Sequence, residues 1–205
     1  RPWIRAEDLR PKSVARDMYE QFAGFNEYVK RYGLERLEGT LLRHLSQVYK
    51  TLRNEVPDAA KDERVHDAIG YLRATLERAD RSLLTAWEKM VAPPDDVDLE
   101  PIELRREQPV DVTADARAFL AMVRAELHRL VKALADQDYE EAAAGLRQDD
   151  EDPWDAERLE LSMARYHADY ERLLFDHTAR QPGFTRLLPD GERQWKVQQV
   201  LHDPE

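Results

Sequence analysis

Apolar residues recur at helical spacing through most of this chain. Val14, Met18, Phe22, Phe25 and Val29 fall at intervals of 4, 4, 3 and 4, the repeat of one helix face. Ser13 is placed to cap that helix and Gly33 to stop it. Leu34, Leu37, Leu41, Leu45, Val48 and Leu52 make a second stripe, closed by Pro57. Val65, Ile69, Leu72, Leu76, Ala79, Leu83, Trp87 and Met90 extend a third from about Lys61 to Val91, a helix roughly 45 Å long at about 1.5 Å per residue. Three amphipathic helices with short connections predict an antiparallel helical unit over residues 1–92.

The pattern then lapses. Pro93, Pro94, Pro101 and Pro109 stand among Asp95, Asp96, Asp98 and Glu100. Such a stretch neither continues a helix nor buries itself, so 93–112 reads as a linker. Thr113 or Asp115 then opens a helix bearing Phe119, Val123, Leu127, Leu130 and Leu134, followed by a shorter one around Tyr139 to Leu146. Past an acidic loop, Gln148 to Pro153, Asp155 caps a helix with Leu159, Met163, Tyr166, Tyr170 and Leu173 on one face. From Pro182 and Gly183 the period shortens to that of strands. Phe184 to Leu188, a turn at Pro189-Asp190-Gly191, and Arg193 to Leu201 predict a β-hairpin with Trp195, Val197 and Leu201 sharing a face. The fold class is therefore mainly α, a three-helix N-terminal unit followed by an α+β unit over 113–205. A lone hairpin is marginally stable, so it is expected to need helices beneath it or more strands beyond Glu205, and with a start at Arg1 the chain reads as a piece of something longer.

Composition excludes several chemistries. With no cysteine in 205 residues there is no disulfide framework, thiolate zinc site or cysteine nucleophile. No apolar run approaches the roughly 20 residues that span a bilayer, and RPWIRAEDLR is no signal peptide. The expected location is cytoplasmic, with no membrane partner. The net charge of −11 is unevenly distributed: residues 1–55 carry 11 Lys and Arg against 8 Asp and Glu, leaving 20 against 34 for the rest. An acidic body repels phosphate backbones, so any nucleic-acid contact belongs near the N-terminus.

Candidate sites are few. No phosphate-cradling glycine loop and no nucleophile elbow occurs. Glu63 and His66 form one Glu-x-x-His, the helical spacing of a di-iron site, but such a site needs a second copy that the chain lacks. Asp149-Asp150-Glu151-Asp152 has neither the interleaving nor the glycine of a calcium loop. His128, His167 and His177 read as surface or boundary residues, and Tyr166 and Tyr170 as core. No catalytic, cofactor-binding or metal-ligating residue is assigned. The second stripe is more informative, because Arg36, Arg43 and Lys50 recur every seven residues beside its leucine seam, with Lys12 and Arg16 at the start of the preceding helix. These five read either as a solvated face balanced by Glu35, Glu38 and Glu55 or as a phosphate-contacting strip. Without interleaved aromatics, base stacking is not indicated.

The wording of three segments goes further. IRAEDLRPKSVARDMYEQFAGFNEYVKRYGLERLEGTLLRHLSQVYKTLRNEVP, YLRATLERADRSLLTAWEKM and RQPGFTRLLPDGERQWKVQQVLHDPE resemble an uncharacterised C-terminal domain that follows the motor core of bacterial DEAD/DEAH-box superfamily II helicases. The resemblance implies an ATP-dependent parent helicase acting on RNA, with ATP and Mg held in the upstream motor core and none in this fragment. It implies a non-catalytic accessory region, working beside the motor core in cis on strand guidance, motor positioning or partner recruitment, with RNA reached through the N-terminal helices. Two other classes stay open. One is an acidic helical module that binds a basic protein. The other is a pocket-containing α+β domain, since ADQDYEEAAAGL between helices and a closing hairpin resemble the nuclear-transport-factor-2 type of cone, an analogy of fold alone.

Overall fold

The computed structural model describes residues 11–91, 113–147 and 153–204, with the side chains of all of these except 11–13 and 80–91. The architecture is mainly helical and ends in a two-stranded antiparallel hairpin. The chain divides into two compact units, Arg1–Phe119 and Leu120–Glu205. The linker expected over 93–112 and the acidic residues 149–152 lie outside the described residues.

In the first unit the expected first helix is two. α1 (Pro11–Gln21) begins on proline, two residues ahead of the expected cap at Ser13, and α2 runs Phe25–Tyr32. Between them Phe22 adopts a left-handed backbone with φ 49°, and the Ala23 N–H donates to the Met18 carbonyl at 2.9 Å. This is how a helix stops on glycine, and a side chain there costs on the order of 1 kcal/mol. Spacing could not reveal the break, because the apolar period runs straight through it. Tertiary contacts hold it instead. Tyr71, from α4 (Glu63–Val91), donates its hydroxyl to the Ala23 carbonyl at 2.7 Å and sets its ring 4.9 Å from that of Phe22. The Glu27 carboxylate accepts from the Gly24 N–H to start α2, which ends as expected at Gly33 with φ 64°.

The second stripe is a 3₁₀ turn, Glu35–Leu37, followed by α3 (Glu38–Asn54). Leu41 and Leu45 are buried, and Leu37, Val48 and Leu52 half-buried. The α3 seam packs against α4, whose Tyr71, Leu72, Thr75 and Ala79 are buried. Met18, Tyr28, Val29 and Leu45 are the most deeply buried large side chains of the unit.

In the second unit α5 (Ala116–Ala135), α6 (Tyr139–Ala144) and α7 (Ala156–Asp169) each begin on an aspartate whose Oδ1 accepts backbone N–H bonds: Asp115 from Arg117 and Ala118, Asp138 from Glu141, Asp155 from Arg158. Such caps satisfy donors that no intrahelical carbonyl reaches. One small core joins Ala133, Ala142 and Leu159. Another joins Val131, Met163 and Leu173, with Tyr166, Phe175 and Leu201 packed against it.

Three expectations need correction here. α7 ends at Asp169, so Leu173 reaches the core from the following segment. Tyr170, expected in the core, is half exposed and stacks its ring 4.9 Å from that of half-buried Tyr166. The hairpin turns later than expected. β1 (Thr185–Gly191) pairs with β2 (Gln194–Gln199) through Leu187 opposite Val197, Pro189 opposite Trp195 and Gly191 opposite Gln194. The loop is therefore Glu192-Arg193, with Arg193 at φ 57° and a register irregularity between Pro189 and Gly191. Matching the two apolar cross-strand pairs sets this register, and Gly191 at φ 149° serves the irregularity rather than the turn. Leu201 lies past β2, where the Leu174 N–H donates to the His202 carbonyl at 2.8 Å.

Candidate nucleic-acid interface

α3 buries one face and leaves the other bare. Opposite Leu41 and Leu45, the residues Gly39, Thr40, Arg43, Gln47, Lys50 and Asn54 share one side of the helix, and all six are exposed. The helix EGTLLRHLSQVYKTLRN holds one carboxylate, Glu38, against Arg43, Lys50 and Arg53. Glu38 lies in the first turn and is half-buried. The exposed strip thus carries hydroxyl, amide and cationic groups and no acid.

Arg43 and Lys50 stand two turns apart on this strip, about 10.5 Å along the axis. Arg36 is exposed too, but it belongs to the preceding 3₁₀ turn, which breaks the seven-residue phase expected for all three. Arg16 lies on α1, and its Nε sits 2.6 Å from Glu20 Oε1. Lys12 lies in the first turn of α1, with its side chain outside the described set. The structure therefore gathers Arg43 and Lys50 on one face and gives Arg36 and Arg16 different settings.

The carboxylates expected to balance this face make no direct ion pair with it. Glu55 accepts from the Thr51 hydroxyl at 3.3 Å, and among the described residues no carboxylate pairs with Arg36, Arg43 or Lys50. Some cations elsewhere are paired, Arg31 with Glu27, Lys61 with Asp58, Arg73 with Glu77, Lys132 with Asp136 and Lys196 with Asp190, while others, such as Arg64, Arg165 and Arg186, are exposed without an ion pair among the described residues. Sequence spacing missed Arg53, which continues the basic end of α3. Its Nη1 donates to the Tyr49 hydroxyl at 3.0 Å, and Lys61 Nζ donates to its carbonyl at 2.8 Å. A cation three residues beyond Lys50, in the last turn, was the available signal.

The second unit buries one pair of basic side chains. His128, expected at a surface or boundary, is buried on α5 one turn after buried Arg124. Its ring lies 6.1 Å from that of Phe175 in an edge contact, and the Arg180 guanidinium lies 5.8 Å from the same Phe175 ring. Burial, with the charges of Arg180 and Arg124, pushes the imidazole down to about 4, so at neutral pH it is uncharged. His167 is half-buried and His177 exposed. Asp176 stays below the usual carboxylate range although burial opposes this, because Ala179 and Thr178 donate backbone N–H bonds to it and His202 and His177 lie near.

Glu63 and His66 share the first turn of α4, and among the described residues no group of three His, Asp or Glu side chains is arranged to hold a metal ion. Among the described residues no helix is long and apolar enough to cross a membrane.

These features define a class: a helical protein of two compact units, the first presenting an acid-free basic helix face, the second closed by a hairpin. The family described as "Domain of unknown function (DUF3516)" matches residues 1–205, and the chain belongs to that family. No match to a curated protein or to a solved structure was found.

Proposed function

We propose that this chain is a non-catalytic accessory C-terminal region of an ATP-dependent superfamily II RNA helicase, with ATP and Mg held by a motor core upstream, and that unit one guides the RNA strand. The observation that supports it is the α3 face, where Arg43 and Lys50 stand exposed with no described carboxylate beside them in a chain of net charge −11. Exposed cations with no ion-pair partner on an otherwise acidic chain are available to a phosphate backbone, and they localise any such contact to this face.

The test is ATP-dependent unwinding of an RNA duplex by the full-length parent, compared with a parent lacking residues 1–205 and with one carrying Arg36→Glu, Arg43→Glu and Lys50→Glu. Loss of RNA affinity and slower unwinding in both variants is the expected result. Unchanged affinity and unchanged unwinding in the triple variant rule the strand-guiding role out.

A protein-binding role draws on a separate observation in unit two. Leu161 is 65 % exposed, and Arg158 lies 4.2 Å over the ring of Trp154, itself exposed, a pairing of residue types that anchors protein interfaces. The acidic body favours a basic partner. A pull-down at low salt with Leu161→Asp tests it, and identical recovery of protein by both forms counts against it.

A further inference from the structure

We infer that β2 is a pairing edge for a second copy of this chain, the two β2 strands joining antiparallel about a two-fold axis at Val197 into one four-stranded sheet. The hairpin's own bonds show which groups turn outward. The Val200 N–H donates to the Phe184 carbonyl at 2.9 Å, and Thr185 stands opposite Gln199 in the same register. Bonded and non-bonded pairs alternate in an antiparallel ladder. Arg186 therefore bonds Gln198 and Leu188 bonds Lys196, while Leu187 and Val197 turn their N–H and C=O groups away from each other. Among the described residues no third strand lies along either edge, and such an edge is a template for another chain. The two edges differ. On β1 the outward position after Leu187 is Pro189, which has no N–H to offer. On β2 the outward positions are Trp195, Val197 and Gln199, each with an N–H and a carbonyl. The sequence of β2, QWKVQQ, selects a copy of itself. An axis at Val197 sets Val197 opposite its own copy and Lys196 opposite Gln198 of the partner subunit, so no like charges meet. An axis one residue earlier sets two Lys196 ammonium groups opposite each other, which is destabilising, and one residue later it faces Val197 with a glutamine. Lys196, the one charge on β2, is held by Asp190 of its own hairpin at 3.0 Å. Val197, 40 % exposed, is covered by its copy, which carries the apolar row begun by Leu187 across the joint.

The test is the mass of the intact chain, followed by sedimentation velocity against protein concentration. An interface of one strand per copy is small, so a dimer is expected with a Kd of about 10–100 µM. Val197→Lys and Val197→Glu each set like charges at the axis, and each should weaken dimerisation at least about fivefold. Mixed in equal amounts, the two variants set opposite charges there and should pair within about threefold of the unaltered affinity. Because Val197 makes no ladder bond to β1, neither variant breaks the hairpin, and thermal melting checks that the fold is kept. Amide exchange of the unaltered chain gives a reading that needs no variant. Exchange at the Val197 N–H should slow as concentration rises, whereas the Gln198 N–H, bonded to Arg186, is protected throughout. A chain that stays monomeric up to about 500 µM overturns the inference and leaves the edge to a strand of another protein. A dimer that both variants leave intact, or one in which Val197 exchange ignores concentration, places the interface elsewhere and also overturns it. Variants that both dissociate and do not recover on mixing overturn the axis at Val197.

Discussion

Two pairs of basic side chains, one in each unit, are placed in opposite ways. On α3 in the first unit, Arg43 and Lys50 lie in solvent with no described carboxylate beside them. On α5 in the second, Arg124 and His128 are buried one turn apart, and His128 is kept neutral by that burial. A solvated cation adds little to stability and stays available to a ligand. A buried imidazole couples the fold to pH, because each proton it takes up must be accommodated away from water. Basic side chains thus serve as a surface property on α3 and as a stability property at the buried pair on α5.

Core deletions set the upper end of the scale against which that contrast is measured. Leu45, with no exposed surface, supports the α3 seam, and Leu45→Ala should cost about 2–5 kcal/mol in a urea titration. A loss below about 1 kcal/mol would mean that α3 is not anchored through its leucines. Acidification should act on the second unit at nearly that size. Between the unfolded value near 6.5 and the folded value of about 4, the unfolded chain binds the His128 proton and the folded chain does not. Stability from this group is therefore complete above about pH 6.5 and declines as pH falls towards 4, by on the order of 3 kcal/mol. Amide exchange along α5 followed against pH measures this. In His128→Leu the dependence over that window should flatten, and an unaltered pH profile would overturn the assignment.

Smaller effects sharpen the comparison. Tyr71→Phe removes the donor to the Ala23 carbonyl at the α1–α2 break and should cost about 1–3 kcal/mol, with exchange rising first at residues 22–25. Asp155→Ala removes the α7 cap and should cost about 1 kcal/mol. The smallest expected change is at the strip. Arg43→Gln and Lys50→Gln should each shift stability by less than about 0.5 kcal/mol, and a larger loss would show that these cations serve the fold.

Local signals made much of this structure legible. Asp155 caps as its place before an apolar period predicts, Asp115 is the one of the two expected starts that caps, and Gly33 ends α2 because the left-handed conformation suits a residue without a Cβ; the cap at Asp138 is not named by the spacing. The α1–α2 break was hidden because its left-handed residue is Phe22, held by Tyr71, which bonds the Ala23 carbonyl from 48 residues further along the chain. The hairpin turn was displaced because Pro189-Asp190-Gly191 has the chemistry of a turn, while the pairing of Leu187 with Val197 and Pro189 with Trp195 sets the register. On the candidate strip, the seven-residue spacing placed Arg43 and Lys50 on one helix face but could not show that Arg36 falls on a separate 3₁₀ turn or that Glu55 accepts from Thr51.

Periodicity and caps alone determined the helical class, the closing hairpin and the face of α3 that meets solvent, since these depend on residues a few positions apart. Which polar groups are buried, which charges are paired and where the chain breaks or turns depend on residues brought together from distant positions. His128 shows the division most directly. Its place on α5 follows from the local repeat, but its neutrality follows from Phe175, Arg180 and the packed interior around them, which only the tertiary structure assembles.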